Sequence, residues 1–98
     1  MKAYKHLVRY SLKAGHVISV WDGEEWQVKR SSSFKAICEA VESVEEAQLR
    51  IRRADAEGKE MGWALVSAFG LEDDETVCDH TVNEFMDAWS NSYETSLV

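Results

Sequence analysis

Val17-Ile18-Ser19-Val20-Trp21 and Trp26-Gln27-Val28-Lys29-Arg30 are two β-rich runs that face each other across Asp22-Gly23-Glu24-Glu25. Glycine accepts the positive φ of a tight turn because it lacks a Cβ, and aspartate bonds its own backbone nearby, so this stretch predicts a hairpin. The connection is either a four-residue loop or a shorter turn with a bulge. A hairpin exposes an apolar side that other elements must cover, so the chain has to be organised around a sheet.

The remaining elements follow from hydrophobic spacing. His6, Val8 and Tyr10 alternate with Leu7, Arg9 and Ser11, which predicts a first strand within residues 5–12, ended by Ala14-Gly15. After Ser31-Ser32-Ser33, Phe34, Ile37, Cys38 and Val41 recur at i, i+3, i+4 and i+7, with Lys35, Glu39 and Glu42 opposite. That spacing predicts a helix over 34–42, since a strand would turn Ile37 and Val41 out to solvent. Ser43-Val44-Glu45-Glu46 has the form of a capping box, and Val44, Ala47, Ile51 and Ala54 follow it as an apolar stripe up to Gly58. A second helical segment over 44–57 is expected, separate from the first or continuous with it, with Glu46 and Arg50 as an i,i+4 pair.

Residues 62–69, Gly-Trp-Ala-Leu-Val-Ser-Ala-Phe, are too few for a typical helix and fit a central strand covered on both faces, with Trp63 in the core. Thr76-Val77-Cys78 suits a short edge strand. Thr81-Val82-Asn83-Glu84 is a second capping-box pattern, and Val82, Phe85, Met86, Trp89 and Tyr93 predict a final helix over 82–93, with 94–98 fraying. The expectation is a single α+β domain over 1–98. Its antiparallel sheet has three or four strands, two or three helices lie mainly on one face, and the order is β-β-β-α-(α)-β-α.

Charge is unevenly distributed. All 11 Lys and Arg lie at or before Lys59, whereas residues 60–98 carry nine acids and no base. Residues 1–59 therefore carry +2 and residues 60–98 carry −9, which together give the net −7. Such a segment must face solvent, lie against the basic half, or meet a basic partner. A chain of this charge repels polyanions at long range, so direct nucleic-acid binding is not expected. No apolar run approaches the roughly 18–20 residues of a membrane span, and the opening residues lack the apolar segment of a secretory signal. A cytoplasmic location with Cys38 and Cys78 reduced follows as the expectation, both thiols acting as small buried hydrophobes.

Catalytic and metal chemistry find little support in these residues. Cys78 and His80 flank Asp79, and Cys38 and His16 would have to converge on them to complete a zinc shell, without the paired short spacings that such sites use. Asp73, Asp74, Glu75 and Asp79 lack the glycine-centred calcium-loop pattern, and the scattered glycines form no phosphate loop. No cofactor is expected. A small Cys/His-dependent or metal-dependent enzyme stands only as an alternative.

The leading expectation is a small non-catalytic interaction protein that associates with itself as a homodimer. Its anchors are Trp21, Trp26 and Trp89, because Trp and Arg recur among energetic hot spots. Arg50 and Arg53, on a helix end, would face the acids Asp73, Asp74, Glu75, Glu84 and Asp87 of a neighbouring copy. The alternative partner is a basic nucleic-acid-binding protein, whose groove the acids would occupy in imitation of a phosphate backbone.

Overall fold

Residues 5–12, expected to hold a strand, lie within helix α1 (Ala3–Lys13) in the computed structural model, which describes residues 1–97. The buried positions Ala3, Tyr4, Leu7, Val8 and Ser11 follow helical spacing, and the buried Ser11 hydroxyl is satisfied by donating to the Leu7 carbonyl at 2.8 Å. The hairpin forms as expected from β1 (His16–Trp21) and β2 (Trp26–Ser31). Residues 22–25 are its connection. Gly23 has φ 103°, and the Asp22 carboxylate accepts the Glu24 and Glu25 N–H groups at 2.7 Å each. Those bonds, with one from Gln27, hold the Asp22 carboxyl below its usual range.

Helix α2 (Phe34–Glu42) matches its expected span, and the Ser33 hydroxyl caps it by accepting from the Ala36 N–H at 3.1 Å. The second helical segment does not exist. Ser43 ends α2, its hydroxyl donating back to the Ala40 carbonyl at 2.7 Å, and residues 47–53 form strand β3 (Ala47–Arg53). Ala47, Leu49 and Ile51 are buried while Gln48, Arg50 and Arg52 are half-buried, a period of two that a helix cannot satisfy. The capping-box pattern at Ser43 is thus coincidental, and Arg50 pairs across the sheet with Glu60 at 3.2 Å instead of with Glu46.

Strand β4 (Glu60–Val66) replaces the expected run of 62–69. Gly62, Ala64 and Val66 are buried and Met61, Trp63 and Leu65 half-buried, so only one of its faces is covered. A 3-10 turn (Asp73–Glu75) leads to the edge strand β5 (Val77–His80). Helix α3 (Glu84–Ser96) starts later and ends later than expected, because Asn83, not Thr81, is its cap and accepts from the Met86 N–H at 2.9 Å. Residues 94–96, expected to fray, are helical, Leu97 is the C-cap, and Val98 lies outside the described residues.

The order is therefore α-β-β-α-β-β-β-α, and among the described residues the sheet has five strands, not three or four. Strand order is β2-β1-β3-β4-β5, with every neighbouring pair antiparallel. Register aligns Ile18 with Ile51 and Gly62, and Val20 with Leu49 and Ala64, along one face. Helices α1, α2 and α3 all pack on that face and fill one core with it. No helix among the described residues is long and apolar enough to cross a membrane.

Candidate functional site

Strand alternation sends every second side chain away from the helices. Val17, Ser19 and Trp21 of β1, Gln48, Arg50 and Arg52 of β3, and Trp63 and Leu65 of β4 share that opposite face, which no helix covers among the described residues. Two irregularities of β2 shape its margin. Between Val20 and Trp21, one step of β1 is matched by two of β2, which sets Trp26 opposite Trp21 with the rings edge to face at 5.0 Å. Between Ile18 and Val20, two steps of β1 meet three of β2. Arg30, in that second bulge, is the one non-glycine residue with positive φ (49°) among the described residues. Its N–H donates to Ser19 Oγ at 2.8 Å, and its guanidinium donates to the Asp55 carbonyl at 3.0 Å, tying the hairpin to the β3–β4 turn.

Polar groups on the face hold one another in place. The Arg50 guanidinium lies 5.8 Å from the Trp63 ring centre and bonds Glu60, while Trp63 Nε1 donates to Gln48 Oε1 at 3.1 Å. Arg52 Nη1 donates to the Gly58 carbonyl at 3.2 Å. Trp21, Trp26, Gln48, Arg50, Arg52 and Glu60 enclose a shallow cleft of about 540 Å³, which adjoins a second of about 400 Å³ flanked by Lys29, Arg30 and Glu57. Lys29, Arg30, Arg50 and Arg52 face only Glu57 and Glu60 there, so this patch is positive on a chain of net charge −7.

The structure brings Trp21, Trp26 and Arg50 together around one cleft. Trp89 is not with them. It is 4 % exposed, fills the core between α3 and α1, and donates from Nε1 to His6 Nδ1 at 3.1 Å. Arg53 points to the other side of β3 from Arg50, because three residues along a strand reverse the face, and pairs with Asp55 at 2.9 Å. Trp63, expected in the core, lies on the bare face instead. Sequence reasoning missed it and Gln48. The alternation of residues 47–53 was the available signal, since it places Gln48, Arg50 and Arg52 on one side.

The acids from Glu72 onward lie at the β5 edge of the sheet and on α3. Asp73, Asp74 and Glu75 make the exposed 3-10 turn, Asp79 of β5 pairs with Leu65 and so shares the bare face at its far edge, and Glu84, Asp87 and Glu94 are exposed on α3. Among the described residues none of the acids from Glu72 onward forms an ion pair. Glu84 and Asp87 lie in the first turn of α3, where they complement the positive end of the helix dipole.

Cysteine chemistry is not assembled. Cys78 is exposed, not buried as expected, while His80 turns inward with its ring edge-on to Trp89 at 5.7 Å. Cys38 is buried, and that burial, with a smaller contribution from Glu42, pushes its thiol up to about 11. No group of three or more His, Cys, Asp or Glu converges as a metal shell would require among the described residues. Comparison with known proteins finds no matching family model, no similar curated protein and no similar solved structure.

Proposed function

We propose that this chain is a non-catalytic interaction protein whose working surface is the bare face of its sheet. One observation carries this: Trp21, Trp26 and Trp63 stand with Arg50 and Arg52 on a face left without a helix layer. A solvated face of an antiparallel sheet is ordinarily polar. Tryptophan and arginine together are the residues that concentrate binding energy at protein interfaces. The positive patch suits an acidic protein surface. A long polyanion suits it less, because the rest of the chain is strongly negative and repels it at range. A reducing, cytoplasmic setting fits the exposed free thiol of Cys78.

The test is radical footprinting of the chain free and bound to whatever protein it captures from its native cell. Trp21, Trp26 and Trp63 should be protected in the complex, and Arg50→Glu with Arg52→Glu should abolish capture. A partner that binds with those tryptophans still reactive would place the working surface elsewhere.

A second reading rests on the unpaired acids. Asp87 and Glu94 are seven residues apart on one side of α3, about 10 Å along the helix, with Glu84 one turn before Asp87. A row of this kind suits the basic groove of a nucleic-acid-binding protein. Such a protein should release duplex DNA when the chain is added, and Glu84→Gln with Asp87→Asn should weaken that release. Release unchanged by those substitutions would reject the row.

A further inference from the structure

We propose that the occupant of the bare sheet face is the apolar and acidic loop of residues 69–75 from a second copy of this chain, an inference that rests on that face being the working surface. Within this loop Phe69 is 57 % exposed and Leu71 43 % exposed, followed by exposed Glu72, Asp73, Asp74 and Glu75. Two large apolar side chains beside four carboxylates match, in kind and order of charge, a cleft of tryptophans rimmed by arginines.

The loop is also held in shape before it meets anything. Lys2 Nζ donates to the Ala68 carbonyl at 2.8 Å and lies 5.5 Å from the Phe69 ring centre. Thr76 Oγ1 accepts the Tyr4 N–H and donates to the Asp73 carbonyl, both at 3.1 Å, and Glu72 and Glu75 cap each other across the 3-10 turn. Little ordering entropy is left to lose on docking.

The loop cannot reach the cleft of its own chain. It packs against the start of α1 on the helix side, whereas the cleft opens on the other side of the sheet. The contact is therefore made between copies. With loop and cleft on opposite sides of the sheet, the contact is head-to-tail, and its repetition forms a ring or filament.

Sedimentation of the full chain and two variants tests this. The face variant carries Arg50→Glu and Arg52→Glu, and the loop variant carries Asp73→Lys and Asp74→Lys, each checked for native circular dichroism. Should the reversals disturb folding, Arg50→Gln with Arg52→Gln and Asp73→Asn with Asp74→Asn serve in their place as neutral versions. The parent chain is expected to form oligomers at low salt that shift toward monomer as salt rises. Each reversed variant alone opposes like charges at both contacts and should dissociate at least ~100-fold more readily. An equimolar mixture of the two reversed variants restores opposite charge at both contacts and should recover mixed oligomers.

A parent chain that stays monomeric at high concentration overturns the loop as occupant. Quenching of that monomer's tryptophans by an oligothymidine strand, lost with Arg50→Glu and Arg52→Glu, would assign the face to a nucleic acid and keep it as the working surface. An oligomer indifferent to both variants overturns the loop and the face together.

Discussion

His6 accepts a hydrogen bond at Nδ1 from Trp89, so the ring must be neutral at that nitrogen. Burial holds His6 below the usual imidazole range, and Arg9, the terminal amine and Lys13 add to the effect; burial and Arg53 do the same to His16. The unfolded chain takes up protons near pH ~6.5, before the folded chain does, so stability from these groups is complete above that pH and is lost below it. The urea midpoint should fall between about pH 7 and about pH 5, and His6→Gln with His16→Gln should flatten that dependence while leaving an acceptor for Trp89. An unchanged slope in the double variant would remove both histidines from the account. Gly62 is a second constrained position. A Cβ there would land on Sδ and Cγ of Met86, itself fully buried, so Gly62→Ala should cost about 1–3 kcal/mol by urea unfolding.

At the scale of elements, caps distinguish the sequence patterns that act from those that do not. Asn83 caps α3 and donates from Nδ2 to the Met61 carbonyl at 3.1 Å, joining helix to strand. Asn83→Ala and Ser33→Ala should each cost about 0.5–2 kcal/mol, whereas Ser43→Ala, at a helix end where no N–H waits for a cap, should cost less. Equal losses at Ser33 and Ser43 would reject this ordering. The same contrast explains what the sequence made legible. The hairpin, α2, the strand character of β4, the edge strand β5 and most of α3 were readable because turn residues and spacing agreed. Residues 5–12 carried two periods, and the alternation of Val8 with its neighbours hid the helical set Tyr4, Leu7, Val8 and Ser11. Residues 47–53 were misassigned because a generic Ser/Glu pattern outweighed the regular alternation of Ala47, Leu49 and Ile51. That one error put Arg50 and Arg53 on a shared side and hid Arg50, Arg52 and Trp63 as neighbours. The uneven charge was plain from composition, but its placement in the fold depends on strand order, which no local pattern encodes.

Across the whole molecule, one sheet face carries the core and the other carries the cleft, so core and cleft draw on different residues. Four tryptophans report on that division. Trp89 is 4 % exposed and meets His6, His80 and Tyr93, while Trp26 is 39 % exposed and meets Trp21 beside solvent. Removing Trp89 leaves a cavity among α1, α3 and β5 and an acceptor on His6 without its donor. Trp89→Ala should therefore cost about 3–5 kcal/mol or abolish cooperative unfolding. Trp26→Ala opens no cavity, because water already reaches its site, and should cost about 1 kcal/mol or less. Trp89→Phe should remove the short-wavelength part of the emission, leaving the three tryptophans of the bare face to report any partner that covers them. If the two alanine variants lost equal stability, the bare face would be part of the folding core, and its tryptophans would need no partner to explain them.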